Sequence, residues 1–425
     1  MTLAISRYGT RVVPNTQHIV ADLERRGELV EGPHLMAFTD AFSARVGGLR
    51  TIPASYGRMA FYYILQALRF PPGSEIVMPS LTFWVVPEMA RVAGLRPVFV
   101  DVDPVTFDMT VDGFERAIGA KTVAVVPTHL WGLPCDMDEI VAVAHRHGIV
   151  VIEDCAHALG STYHDRPAGT LGDAAFFSLQ TIKPLNTYGG GMAVVRDPDV
   201  ARRVADIANA APLPDVRMVK RKLWQGRVQR VVTQPPVFTW TMFPLVYGCR
   251  RLNRSFDAYF WEKIRPLDPL PPSYHVRYSN VQAAIGLEGL ELLDRWHATT
   301  CRHAARMFSI LRQVPGVRLP IVPPDRAHTF YQYSVYVPER DAVVHRCLQH
   351  GVDIETLHVD VCTSLPLFAG PHAPMPGAAL TTRTIQIPVY ESLTDEELAR
   401  VGAVVKDAVL SLKAVGTPAM RESSS

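Results

Sequence analysis

Hydrophobic positions along the chain switch between two periods, and the switches divide it. Leu35, Phe38, Phe42 and Val46 recur at helical spacing behind an N-terminal arm. From about 51 to 210, helical periods over 60–68, 87–93, 112–118 and 137–147 alternate with short apolar runs. Those runs, 75–78, 97–102, 122–127 and 149–153, predict strands, and 176–178 and 192–195 add two more. Apolar strands separated by helices predict βαβ units and a mostly parallel sheet buried on both faces. A long helix over about 280–311 carries Val281, Ala284, Ile285, Leu287, Leu290 and Leu293. Beyond it a smaller α/β unit is expected, with strands near 331–337 and 384–387. A closing helix over 394–412 is opened by Thr394-Asp395-Glu396-Glu397. The chain thus divides into an arm and helix (1–50), a large domain (51–210), a segment of different character (211–272) and a long helix with a small domain (273–425). The terminal Glu422-Ser423-Ser424-Ser425 is expected to be disordered.

Composition narrows the class. With 425 residues, 48% hydrophobic and 20% charged, the chain has ample material for folded cores. Cys135, Cys155, Cys249, Cys301, Cys347 and Cys362 form no C-x-x-C pair or regular framework. With no secretory signal in view, reduced thiols in the cytosol are expected. No apolar run reaches the ~18–20 residues of a membrane span. The run 231–249 is broken by Pro235, Pro236 and Pro244. No metal site and no nucleic-acid module is expected.

Charge becomes informative only locally. Between Val216 and Phe256 there is no Asp or Glu, but there are nine basic residues: Arg217, Lys220, Arg221, Lys222, Arg227, Arg230, Arg250, Arg251 and Arg254. The rest of the chain holds 34 basic against 41 acidic residues, so the formal net charge of +2 conceals a polarised segment. An aromatic, apolar run over 237–247 lies between the basic clusters. Three readings stay open for 217–254: a helical insertion packed on its own subunit or a partner, a peripheral membrane contact, or a phosphate-handling surface.

The chemistry centres on Lys183. The strand ending at Glu153-Asp154 delivers a carboxylate at the end of an open sheet where ligands collect, with His157 three residues on. Ser178 closes the next apolar run, Lys183 follows five residues later, and Gly189-Gly190-Gly191 comes after. Pyridoxal phosphate asks for such a set: an amine nucleophile, an acid for the pyridine nitrogen, and small or hydroxyl residues about a phosphate. Ser55-Tyr56-Gly57-Arg58 at a helix start suits that phosphate, and Phe83 offers an aromatic face. Each residue also has a plainer reading. Asp154 can cap a turn, His157 can be a satisfied core histidine, Lys183 can snorkel, Phe83 can fill the core and the glycines can serve a tight turn.

The ordered motifs resemble one family. Asp154-x-x-His157, Gly172-Asp173-Ala174, and Ser178 with Lys183 are similar to the DegT/DnrJ/StrS group of PLP-dependent sugar aminotransferases. So are Pro79-x-x-Thr82-Phe83, the run 97–103, His129-Leu130-Trp131-Gly132 and Asn280-x-Gln282-Ala283-Ala284-Ile285-Gly286. The likeness spans roughly 10–210 and 273–412 and implies the type I aminotransferase fold, with a smaller C-terminal α/β domain. It implies that Lys183 carries the internal aldimine, that Asp154 meets the pyridine nitrogen and that His157 lies near the ring hydroxyl. Gly57, Arg58 and Ser178 would hold the phosphate and Phe83 would stack on the ring. It further implies a homodimer with shared sites, His275 standing where the partner's asparagine is usual.

Three positions depart from the pattern. Gly189 replaces the acid of the usual Gly-Glu-Gly-Gly, His275 replaces the asparagine, and Arg58 replaces a threonine. Retention of the lysine argues against the dehydratase-like members, in which a histidine stands there. The expected activity is amination of a keto group on a nucleotide- or carrier-linked sugar or cyclitol, with an amino-acid donor such as glutamate. Alternatives are other PLP chemistry, transamination of a lipid-like ketone at a membrane surface, or a non-catalytic regulatory role on the same fold.

Overall fold

The computed structural model describes residues 3–9, 11–252, 262–357 and 359–415. The terminal segment expected to be disordered and Arg254 lie outside them. A seven-stranded sheet runs in the order Arg50–Ala54, Gly191–Val195, Ala174–Ser178, Val150–Asp154, Thr122–Val125, Glu75–Pro79, Arg96–Val100. Six strands share one direction and Gly191–Val195 opposes them. Strand Arg50–Ala54 is not among the strands expected from the sequence, and it carries Pro53, which has no N–H for a ladder. The structure accommodates it at the sheet edge, where a missing N–H costs no ladder bond.

Strict alternation along these strands sends apolar side chains to both faces. Ile76, Met78, Ile152, Ala174 and Phe176 face helices Gly57–Leu68, Val85–Val92 and Pro198–Ala210. Val77, Val125 and Val151 face helices Val111–Ala117 and Met137–Arg146. Ala175, Phe177, Met192 and Val194 meet Phe38 and Phe42 of helix His34–Arg45. Burial on both faces is why these strands read as continuous apolar runs.

Helix Asn280–Leu311 spans 32 residues, about 48 Å at 1.5 Å per residue. Its first half packs on the large-domain cores, and Ala304, Met307 and Leu311 join the core of the smaller unit. That unit pairs strands Tyr333–Tyr336 and Thr384–Ile387 against helices Arg340–Gln349 and Asp395–Val415. Ile5 of the arm enters the same core and bridges to Val352, so the N-terminus reaches the C-terminal unit.

The basic segment folds into helices Val216–Thr233, Pro235–Trp240 and Met242–Arg251. Its inner face packs on its own subunit: Val219 and Leu223 join Leu29, Tyr188 and Val281 in one cluster. Gly226 leaves room for the Tyr188 ring, which lies 2.0 Å from where a Cβ would stand. The Ala4 N–H donates to Thr239 Oγ1 at 2.7 Å.

The long helix depends on Gly286, where a Cβ would stand 2.5 Å from the wholly buried Phe38 ring. Gly286→Ala gains at most about 1 kcal/mol of helix propensity. Overpacking a ring that cannot move costs about 1–3 kcal/mol. Net destabilisation is therefore expected, read as a lower denaturation midpoint; an unchanged or higher midpoint would reject this account of the contact.

Candidate active site

Strand Val150–Asp154 ends in two carboxylates that alternation sends to opposite faces. Glu153 shares its face with Val151 and is wholly buried. Its Oε1 accepts the N–H groups of Leu171 and Gly172 at 2.8 and 2.7 Å, and its Oε2 accepts Gly169 N–H at 2.8 Å. His129 Nε2 completes the set at 2.9 Å from Oε2. Cys135 N–H donates to His129 Nδ1 at 3.0 Å, which assigns the proton to Nε2. Asp154 is also buried and accepts the Ala156 N–H at 3.0 Å. Burial pushes its carboxyl up to about 6, against opposing pulls from the Ala156 N–H, Lys183 and His129.

Strand Ala174–Ser178 lies beside Val150–Asp154, and the chain turns from it to Lys183. The Lys183 Nζ reaches the Tyr331 hydroxyl at 3.4 Å and stands 4.8 Å from that ring's centroid. Desolvation lowers its ammonium to about 7, and the Asp154 charge opposes the shift. Two groups 29 residues apart in sequence thus sense each other's charge, one an acid pushed up and the other an amine pushed down.

The His157 ring stacks with both Trp131, at 5.8 Å and 9° between planes, and Tyr331, at 4.3 Å and 24°. It is a flat aromatic floor beside Lys183. Tyr331 was missed by sequence reasoning because it lies in a segment read only as a strand start. Trp131 belongs to a noted motif, yet its stacking is set by chain segments distant in sequence.

Beside Ser178, helix Gly57–Leu68 starts with no side-chain cap, which leaves its first backbone N–H groups available to an anion. A Cβ on Gly57 would stand 3.0 Å from both Phe177 O and Ser178 Cβ, so only glycine lets the helix start approach Ser178. Arg58 turns elsewhere: its Nη1 donates to Glu262 Oε2 and to the Tyr274 hydroxyl, each at 2.6 Å. The Phe83 ring lies 6.0 Å from the Arg58 guanidinium and 6.1 Å from Trp84. His275 is exposed, edge-on to Tyr62 at 6.4 Å, outside this chain's own cradle.

The glycine run is built by close approach. Gly190 (φ 112°) would drive a Cβ to 2.2 Å from the Tyr278 ring, and Gly191 would reach 2.4 Å from Gly57 N. Gly189 (φ 119°) accepts from Gln282 Nε2 at 2.9 Å. Tyr278 and Gln282, at the start of the long helix, therefore clamp the turn after Lys183.

The sequence profile of the DegT/DnrJ/EryC1/StrS aminotransferase family matches residues 12–406. The chain belongs to this family. It is 29% identical over 404 residues to the spore coat polysaccharide biosynthesis protein SpsC of Bacillus subtilis (strain 168), covering 92% of this chain and 94% of SpsC. It is 30% identical over 391 residues to the GDP-perosamine synthase of Caulobacter vibrioides, covering 88% and 90%. The crystal structure of S. venezuelae DesV in complex with a ketimine intermediate superposes with a TM-score of 0.74 at 26% identity, covering 92% and 94%. This aminotransferase therefore has the type I fold expected from its motifs, and DegT/DnrJ/EryC1/StrS enzymes are in general PLP-dependent.

The amine form of Lys183 is expected to grow as pH rises through about 7, not near the ~10.4 of an ordinary lysine. Between those values the unfolded chain binds the extra proton, so this group's contribution to stability rises with pH across that window. Asp154 favours the ammonium, so Asp154→Asn should move the midpoint down. Borohydride trapping of pyridoxal on Lys183 across a pH series, read by mass spectrometry, measures it; a midpoint near 10 rejects the desolvated site.

Proposed function

We propose that this aminotransferase binds pyridoxal 5'-phosphate at Lys183 and aminates a keto group of a nucleotide- or carrier-linked sugar or cyclitol, with an amino-acid donor such as glutamate. The observation that carries the reading is the Asp154–Lys183 pair: a buried acid and a desolvated amine that feel each other's charge beside an aromatic floor. The residues fit the cofactor at both ends. Asp154 would hold the pyridine nitrogen, while the open start of helix Gly57–Leu68 and Ser178 would take the phosphate, in a cradle that a Cβ on Gly57 would fill. When bound, the cofactor supplies an electron sink and carries the amino group between substrates. Lys183 Nζ, with its amine and ammonium forms both populated near pH 7, is suited to take a proton from the substrate carbon and return it. His157, stacked with Trp131 and Tyr331, would keep one side of the site rigid.

The sugar class rests on the relatives, one of them named a GDP-perosamine synthase and another a UDP-N-acetyl-3-dehydro-alpha-D-glucosamine 3-aminotransferase. The exposed position of His275 supports a homodimer in which it would reach a second copy's cradle. Purified protein with pyridoxal phosphate should show visible absorbance that glutamate bleaches and that Lys183→Ala abolishes. Failure of wild type to develop absorbance would sink the proposal.

A peripheral contact with an anionic bilayer is a second part of the reading. No helix among the described residues is long and apolar enough to cross a membrane. Yet Trp224 (64% exposed), Val228 and Val231 stand at i, i+4 and i+7 on the outer face of helix Val216–Thr233. The exposed Arg217, Arg221 and Arg227 share that helix, and Trp240 and Leu245 are exposed just beyond it. Each basic residue near an anionic surface contributes about 1 kcal/mol. Vesicles containing phosphatidylserine should retain the protein at low salt, and a variant carrying Trp224→Ala with Arg217, Arg221 and Arg227 changed to Glu should be released. Equal retention of both proteins, or of neither, refutes the contact.

A further inference from the structure

One cation of the basic segment does not face outward. Val219, Lys222, Leu223 and Gly226 recur at i, i+3, i+4 and i+7, which is the inward face of helix Val216–Thr233. Lys222 Nζ lies 4.5 Å from the centroid of the Tyr56 ring, the residue that immediately precedes the helix start at Gly57. It also lies 3.9 Å from where a Cβ on Gly189 would stand. Tyr56 and Gly190 form a backbone bridge, so these contacts put the ammonium beside the junction of the helix start and the glycine turn.

No carboxylate among the described residues pairs with Lys222, whereas two cations near it are neutralised. Lys220 pairs with Glu24, and Arg58 with Glu262. Position 189 is where the family motif has its acid, and an acid there would stand next to Lys222. Here Gly189 holds φ 119°, a conformation that a side chain strains to adopt, so the turn is built without that acid. Burial lowers the Lys222 ammonium to about 8, which leaves it charged over most of the neutral range and open to an anion.

We propose that Lys222 is a phosphate-binding residue of this active site, the cation that faces a phosphate group held at the Tyr56–Gly57 helix start. It would fill a role that Arg58 cannot take while its guanidinium is held by Glu262 and Tyr274. The inserted segment would then be part of the site, because one of its faces carries this charge inward. The proposal rests on the reading of Lys183 as the cofactor lysine. The phosphate has two sources, the cofactor's monoester or the diphosphate of a nucleotide-linked sugar.

Equilibrium titrations of wild type, Lys222→Ala and Lys222→Arg with pyridoxal phosphate, with pyridoxal and with UDP or GDP separate these. Bound cofactor is followed by visible absorbance and nucleotide by tryptophan fluorescence. If the group is the cofactor's, Lys222→Ala weakens pyridoxal phosphate by about 10–100-fold, leaves pyridoxal unchanged, and Lys222→Arg restores most of the loss. If it is the substrate's, the same pattern appears with the nucleoside diphosphates instead. Equal affinities of wild type and Lys222→Ala for all phosphorylated ligands overturn the proposal, as does an equal loss for pyridoxal, which marks a merely structural role. Wild type without visible absorbance would instead strike the reading of Lys183.

Discussion

The Glu153 carboxylate is the constraint on which the site depends. A charge with no solvent access is tolerable only when its oxygens are filled, and three backbone N–H groups and the His129 ring fill them. Those donors belong to the 169–172 loop and to the segment after strand Thr122–Val125. One side chain thereby ties two loops to the sheet. The loop it holds leads directly into strand Ala174–Ser178, and so determines where Ser178 and Lys183 emerge. His129, Glu153 and Cys155 are close enough together to suggest a metal cluster. The filled oxygens make the set a hydrogen-bond node instead.

Because strand side chains alternate, Glu153 on one face requires Asp154 on the other. The saturated carboxylate and the one proposed to meet the cofactor are consecutive residues on opposite faces of one strand. Glu153 is saturated with donors. Asp154 accepts one backbone N–H and is pushed up by burial, which leaves it in want of a cationic partner. Lys183 answers from the neighbouring strand's loop, and its own desolvation keeps the amine available near neutral pH.

Much of this was legible in the chain. The apolar runs and helical periods recover the parallel sheet and the long helix, because burial on both faces leaves a strong composition signal. The candidates Asp154, His157, Ser178 and Lys183 stand out by spacing, and Gly57 by its place at a helix start. Less legible were residues whose role depends on contacts across the fold. Tyr331 lies 148 residues from Lys183 and carried no local signal. Arg58 stands at the expected helix start, yet Glu262 and Tyr274 hold its guanidinium. Lys222 sat within a basic run that hid its inward helical position.

The amino-acid sequence by itself determined the fold class, the order of elements, the family and the candidate lysine with its candidate acid. These are local in the chain: periodicity and fixed spacings survive without knowledge of what packs against what. Only the tertiary structure decided which cations are spent in ion pairs, which aromatic rings stack and which face of the basic segment turns inward. Those outcomes depend on desolvation and on distances between residues far apart in sequence, which no one-dimensional pattern encodes. The missing acid at 189 acquired its physical meaning there, when a lysine from the segment that had seemed only a surface feature was found beside it.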